Sequence, residues 1–237
     1  MLSIIVPVRN ESNNIEDVFN YFDKNLIDMD YEVLIINDFS TDDTLNKSEV
    51  LTNSFKKFKV LNNKKKGLGG AINLGIKNAS GEYVAIMMAD NSDDINDLKK
   101  YHDLMTKNNY DAVLGSRFLP NSKVKDYPLR KLILNRIFNL FVSLIFLNKY
   151  NDYTNAFKIY KKSVLQEITP IVSESFNIFL EIPLKIISRD YNYKIIEINW
   201  TGRKKGKTKF KIKELQSKYL FTLIYCFIEK NLLNIKK

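Results

Sequence analysis

Three apolar runs in the first ninety residues each stop abruptly at polar or acidic side chains. Leu2 to Val8 ends at Arg9-Asn10-Glu11, Tyr31 to Ile36 ends at Asn37-Asp38, and Tyr83 to Met88 runs through Ala89 into Asp90, Asp93 and Asp94. Continuous apolar runs of this length read as strands buried on both faces, as in parallel sheets. Between them lie segments of helical pattern: about 14–27 with Ile15, Val18, Phe19, Phe22 and Leu26, then about 43–56, and Ala71 to Ala79. Phe58 to Leu61 reads as a further short strand, residues 95–107 as a helix and Ala112 to Gly115 as a strand. Strands alternating with helices every 25–30 residues predict an open, largely parallel α/β sheet. In such sheets ligands bind at the carboxyl ends of the strands, where these polar groups fall.

Carboxylates at that edge can hold a divalent cation, and the cation can hold phosphate. The plain alternative for Asp90, Asp93 and Asp94 is a helix N-cap, since acids favour the positive end of the helix dipole. The basic, glycine-rich stretch Lys64-Lys65-Lys66-Gly67-Leu68-Gly69-Gly70 offers backbone N–H groups that can approach a phosphate closely. It lacks the Gly-Lys-Ser/Thr of a Walker loop, and no Rossmann fingerprint follows the first strand.

Charge and cysteine content exclude several classes. The chain of 237 residues carries 37 Lys+Arg against 27 Asp+Glu, a formal +10. The acids gather in the first half and the bases dominate the second, which favours an anionic partner late in the chain. No nucleic-acid motif accompanies that charge, so nucleic acid is not an expected partner. A single cysteine, Cys226, excludes an internal disulfide and a cysteine-based zinc site. The sole histidine, His102, lies in a charged helical stretch and is expected at the solvated surface. The first residues lack a basic n-region and a cleavage site, so no signal peptide is expected.

After Gly115 the pattern changes. Leu132 to Leu147 is a long apolar helix in which Lys131, Asn135, Arg136, Asn139 and Ser143 form one narrow polar stripe. It is either a core helix with a polar seam or an interfacial helix lying on a bilayer with its basic stripe toward phosphates. Tyr219 to Ile228 is a second apolar helix, too short to span a membrane, fit for docking on the core or for the interface.

Together Ser3-Ile4-Ile5-Val6-Pro7 with Asn10-Glu11, Asn37-Asp38-Phe39-Ser40-Thr41-Asp42, Gly67-Leu68-Gly69 and Met88-Ala89-Asp90 resemble the family 2 glycosyltransferases of GT-A fold. Gly115-Ser116-Arg117-Phe118, Asp152-Tyr153-Thr154-Asn155-Ala156-Phe157-Lys158-Ile159-Tyr160 and Arg203-Lys204-Lys205-Gly206-Lys207-Thr208-Lys209 look like the later motifs of the polyprenyl-phosphate members, the dolichol-phosphate mannose synthase type. The resemblance covers about residues 2–215, taken as one GT-A domain that includes the amphipathic helix at about 131–147; residues 216–237 are taken as a membrane-interface or docking helix.

What the resemblance implies falls on named positions. Pro7, Arg9, Glu11 and Asp38 would line the nucleotide base and ribose, with Gly67, Gly69 and Ala89 beside the donor. Arg9 stands where the family usually has Tyr. Asp90 would be the second Asp of the metal motif, holding Mg²⁺ or Mn²⁺, with Ser92 assisting. Arg203 and Lys209 would close over the donor diphosphate, and Arg117, with Arg130 or Arg136, would hold the acceptor phosphate. The family's first metal Asp falls on Met88, whose thioether is a poor ligand for a hard cation. Asp90 could act with substrate oxygens alone, Asp93 or Asp94 could substitute, or the basic residues 203–209 could neutralise the leaving diphosphate.

The implied reaction is transfer of a hexose such as mannose or glucose from a nucleotide-diphosphate sugar to a polyprenyl phosphate, with inversion, by a cytoplasmic enzyme held peripherally on the membrane surface. An anionic phosphate acceptor needs positioning rather than a strong base. A sugar hydroxyl acceptor, the first alternative, would need a carboxylate base, for which Glu181 and Asp152 are candidates. A nucleotide-sugar-binding subunit without catalysis, suggested by Met88, is the second.

Overall fold

The computed structural model describes residues 1–203, 212–233 and 235. In chain order the elements are β1 (Leu2–Val8), α1 (Ile15–Asn25), β2 (Tyr31–Asn37), α2 (Thr44–Thr52), β3 (Phe58–Asn62), α3 (Leu68–Asn78), β4 (Tyr83–Ile86), α4 (Ile95–Asn108), β5 (Ala112–Ser116), β6 (Val124–Lys125), α5 (Leu129–Ile145), β7 (Lys158–Lys161), α6 (Lys162–Glu167), α7 (Ile178–Ser188), β8 (Tyr193–Glu197), β9 (Trp200–Thr201) and α8 (Ile212–Asn231). Seven strands form one sheet in the order β3-β2-β1-β4-β7-β5-β8, and β6 pairs with β9 in a small second sheet. Every neighbour in the large sheet is parallel except β7, which runs antiparallel to both β4 and β5.

The period-2 alternation of the strands divides the core into two layers. Leu2, Ile4, Val6 and Val8 of β1, with Val33 and Ile35 of β2, pack on one face against Ile15, Val18, Phe19 and Phe22 of α1 and Leu98 and Met105 of α4. Ile5, Leu34 and Ile36 face the other way, against Ala71, Ile72 and Ile76 of α3 and the apolar residues of α7. Pro7 sits inside β1 without disturbing it. Leu2 N–H donates to Asp30 on the β2 side and Ile5 C=O accepts from Met87 on the β4 side, so the missing N–H of Pro7 faces the side where β4 has already ended.

Two helices depart from the ordinary amphipathic pattern. In α5 the asparagines of the polar seam point inward: Asn135 donates to Tyr127 and Thr154, and Asn139 is buried against both Asn135 and Thr154. Ile133, Leu134, Ile137, Leu140, Phe141 and Leu144 are exposed. Of the two sequence alternatives, the core helix is therefore excluded; Asn135 and Asn139 of the seam face the protein, while Arg136 is exposed. In α8, Tyr219, Thr222, Leu223, Cys226 and Glu229 are buried, while Leu220, Phe221, Ile224, Phe227 and Ile228 are exposed. This helix crosses residues 215 and 216 without a break. No described helix is long and apolar enough to cross a membrane.

His102 also differs from expectation. Its ring is half-buried and meets Tyr83 edge-on at 5.6 Å, and burial lowers its pKa.

Candidate functional site

The strand ends share one edge because β1, β2 and β4 are neighbouring parallel strands, and a left-handed residue lies in the loop that leaves each of them. These are Asn10 after β1 (φ 51°), Phe39 after β2 (φ 55°) and Asn91 after β4 (φ 52°). Asn tolerates this region; for the bulky Phe39 it is an outlier. The β1 and β2 loops are laced together. Asn10 Oδ1 accepts from Thr41 N at 2.7 Å, Asn10 N–H donates to Ser40 Oγ at 3.0 Å, and Glu11 N–H donates to Thr44 Oγ1 at 2.8 Å. Asp38 is buried, and its Oδ1 accepts from Asn63 Nδ2 and from Gly67 N, both at 2.8 Å.

That last bond changes the reading of the glycine stretch. Gly67 N–H is engaged by Asp38, and Gly69 N–H donates to Glu174 O at 3.1 Å. Gly67 has φ 123°, and a Cβ there would meet Glu174 O; one on Gly69 would meet Ser173 O. These glycines let α3 pack against the 173–174 backbone, and their N–H groups already have protein acceptors, so the expected phosphate cradle is not formed by them. The loop also ends earlier than expected, because α3 starts at Leu68.

Arg203 reaches the acids from the far end of the chain. Its Nη2 lies 2.8 Å from Glu11 Oε1, and its Nε lies 3.2 Å from Asp90 Oδ2. Asp90 Oδ1 accepts from Ser92 N at 3.2 Å. Asp93 is buried, its Oδ2 has no hydrogen-bond partner, and burial first and the charge of Asp90 second push its pKa up to about 7. Asp94 caps α4, its Oδ1 accepting from Asn96 N at 2.9 Å. β4 ends at Ile86, so Met88 lies beyond the strand and packs against the α3-side core. Ala89 is buried in the opposite core layer and offers a ligand only its backbone. Pro7 is buried, and Arg9 is partly exposed at the edge. Lys209 lies outside the described residues.

Carboxylate oxygens are hard donors, and Mg²⁺ commonly takes one or two carboxylates together with substrate phosphates. Asp90 with the unpartnered Asp93 Oδ2 fits such a cation. No group of three or more His, Cys, Asp or Glu residues suited to a metal occurs among the described residues.

A second cluster adjoins the first through Asp93, which forms a backbone bridge with Trp200. Arg117 donates to Asp152 three times, from Nε and from its backbone N at 2.9 Å and from Nη2 at 2.8 Å. Asp152 is 0 % exposed and Arg117 7 %. The guanidinium lies 5.3 to 5.6 Å from the ring centres of Phe118, Tyr127 and Trp200. Arg136, exposed on α5, sits 4.7 Å from the centre of the same Phe118 ring, whereas Arg130 is exposed with no such contact given. Beneath lies Lys158, wholly buried, with its Nζ donating to the carbonyls of Tyr153 and Asn155. Burial lowers its pKa to about 7. The sequence reading gave Lys158 no role; a lysine inside the apolar run Phe157 to Tyr160 was the signal for one. Tyr127 and Trp200 carried no such signal.

Neither candidate base is available. Asp152 is committed to Arg117. Glu181 is 0 % exposed; its oxygens accept from Val172 N at 2.9 Å and Ser173 N at 2.7 Å, and Lys185 Nζ lies 3.2 Å away. Lys185 and Arg189 also face Glu229 of α8 at 3.5 and 3.4 Å, so Glu181 belongs to a buried ionic network that docks α8 on α7.

The sequence profile described as Glycosyl transferase family 2 matches residues 3–169. The chain is 32% identical over 222 residues to a dolichol-phosphate mannosyltransferase of Pyrococcus furiosus, covering 90% of this chain and 60% of that protein. It is 27% identical over 220 residues to a dolichyl-phosphate beta-glucosyltransferase of Dictyostelium discoideum, covering 84% of this chain and 66% of the relative. The chain thus spans less than two thirds of the length of either. Among solved structures, glucosyl-3-phosphoglycerate synthase from Mycobacterium tuberculosis, in complex with Mn²⁺, uridine-diphosphate and phosphoglyceric acid, superposes with a TM-score of 0.71 at 16% identity, over 96% of this chain and 78% of that one. That likeness establishes a shared fold.

Proposed function

As the chain belongs to glycosyl transferase family 2, we propose that it transfers a sugar from a nucleoside-diphosphate sugar to a polyprenyl phosphate at a membrane surface. The observation that carries this reading is the joining of two unlike regions at one sheet edge. Glu11, Asp38, Asp90, Asp93 and Arg203 make a polar donor end. Arg117 and Arg136 converge on Phe118, beside a helix whose apolar side chains face outward. A phosphate carrying a long apolar chain matches the second region in both charge and hydrophobicity. The names of the two relatives above support the same acceptor class.

Asp90 and Asp93 would hold Mg²⁺ or Mn²⁺, which when bound supplies positive charge to the leaving diphosphate. Arg203 lies beside Asp90 and can add its own charge to that group. Arg117 is held rigidly by Asp152, and with Arg136 it would orient the acceptor phosphate. An anionic phosphate oxygen attacks the anomeric carbon as the bond from that carbon to the diphosphate oxygen breaks, with inversion. No proton need be removed, in keeping with the burial of Asp152 and Glu181. For the same reason a sugar hydroxyl acceptor finds no base among these two candidates.

The test is incubation of the protein with a short polyprenyl phosphate, Mg²⁺ or Mn²⁺, and a panel of GDP- and UDP-sugars, read by mass spectrometry. A cation-dependent glycosylated lipid phosphate is the expected product. Transfer only to sugar hydroxyls, or nucleotide-sugar binding with no product from any donor, would overturn the proposal.

A further inference from the structure

Arg203 occupies the place where a cation would be wanted. Its guanidinium spans two carboxylates from different strand ends, with Nη2 at 2.8 Å from Glu11 Oε1 and Nε at 3.2 Å from Asp90 Oδ2. Glu11 is buried and Asp90 mostly so, with side-chain exposures of 5% and 17%. Acids held this close and this dry repel one another unless a positive charge lies between them. The planar fork of arginine meets that need with directed hydrogen bonds. A divalent ion would meet it through the same Asp90 oxygens, one of which is already tied to Ser92 N–H. Two cations cannot share Asp90 Oδ2 at contact distance without strong mutual repulsion.

We propose that Arg203 is a built-in counter-cation that competes with the divalent ion for Asp90, so that the ion enters together with nucleoside diphosphate rather than before it. The diphosphate supplies what Arg203 needs in order to leave: an anionic partner to replace the carboxylate. The exchange is balanced, with Asp90 passing from guanidinium to metal and the guanidinium from carboxylate to phosphate. In the empty enzyme it keeps the acids neutralised and disfavours stray cations. Asp38 and Asp93 lie outside the exchange; Asp38 is tied to Asn63 and Gly67, and the unpartnered Asp93 oxygen is the ligand left over for the ion.

The inference rests on the cation-dependent reading proposed above, and the two can fail separately. Mn²⁺ binding to the full chain is measured by the loss of the free-ion electron paramagnetic resonance signal, with and without GDP or UDP, for the natural protein, Arg203→Gln, and the double variant Arg203→Gln/Asp90→Asn. The natural protein should bind Mn²⁺ weakly alone and strongly with nucleotide. Arg203→Gln should bind Mn²⁺ alone about tenfold more tightly or better, the expected scale for removing a full charge beside a partly buried site. The double variant should lose that gain, which locates the gain at Asp90. Nucleotide-dependent binding in the natural protein with no gain in Arg203→Gln, or a gain that survives in the double variant, overturns the counter-cation and leaves the reaction reading intact. No Mn²⁺ bound by any variant with either nucleotide overturns both. Circular dichroism melts on each variant confirm that the proteins compared are folded.

Discussion

Replacing Asp152 with Ala should destabilise the protein severely, because it strands a buried charge. Asp152 is wholly buried and accepts three hydrogen bonds from Arg117, two from the guanidinium and one from the backbone. Without it, Arg117 remains only 7% exposed, with aromatic rings in place of a carboxylate. Breaking a buried pair by removing one partner costs about 3–5 kcal/mol. For a chain of this size that lowers the melting temperature by roughly 6–20 °C. Arg117→Met/Asp152→Leu removes both charges and fills both volumes, leaving chiefly the orphaned Arg117 N–H, worth about 1–3 kcal/mol. The double variant should therefore be more stable than Asp152→Ala. Urea unfolding followed by circular dichroism on Asp152→Ala, and on Arg117→Met, Asp152→Leu and their combination as a double-mutant cycle, measures these losses. A loss below about 1 kcal/mol in Asp152→Ala, or a double variant as unstable as the sum of the singles, would refute the reasoning. Asp152 would then be a loosely held carboxylate, and its role as a base would return.

Lys158→Met should flatten the dependence of stability on pH in the alkaline range. Burial lowers Lys158 to about 7 in the fold, from its ordinary 10.5, so the stability linked to this group is full above 10.5 and is lost as pH falls through about 7; equal pH slopes for the two proteins in urea melts would contradict this. Phe39→Gly should be neutral or stabilising by about 1 kcal/mol, since φ 55° strains a bulky residue but not glycine, and Phe39→Val should be worse than the natural protein in the same melts. Ile137→Glu/Phe141→Glu should reduce co-sedimentation with anionic vesicles several-fold at low salt while leaving the fold intact, because both side chains are exposed; unchanged binding would place the membrane contact elsewhere. Glu181→Gln should lower stability through Lys185 and change KM and kcat little when assayed below the melt, whereas a base would lose turnover by orders of magnitude.

The sheet and the donor edge were legible because both are local in sequence. Continuous apolar runs ending at Glu11, Asp38 and Asp90 point to a parallel sheet with acids at its carboxyl edge, and that arrangement is observed. The glycine stretch misled because the partners of its N–H groups are set by the fold: Gly67 donates to the Asp38 carboxylate, and Gly69 to the Glu174 carbonyl about a hundred residues away, which has no pattern to announce it. Glu181 misled for a related reason: an acid in an apolar helix reads equally as a poised base or as half of a buried pair, and only the placement of Lys185 and Glu229 decides. The α5 polar stripe was seen, but its direction depends on Thr154 and Tyr127, which tertiary packing brings to it.

The reversed strand β7 gives the chain an unusual seam. Leu114 on β5 stands directly across from Lys158 on β7, so the excursion between them, with β6 and α5, departs and returns at neighbouring points of the sheet. Such points lie only about 5 Å apart. A segment whose two ends already touch can lengthen, shorten or change its surface at little conformational cost to the rest. Glu11, Asp38 and Asp90 hang from β1, β2 and β4 and are untouched by such a change. Descendants of this chain could therefore inherit one half of the chemistry unaltered while the other half is rewritten, residue by residue, in a single continuous stretch.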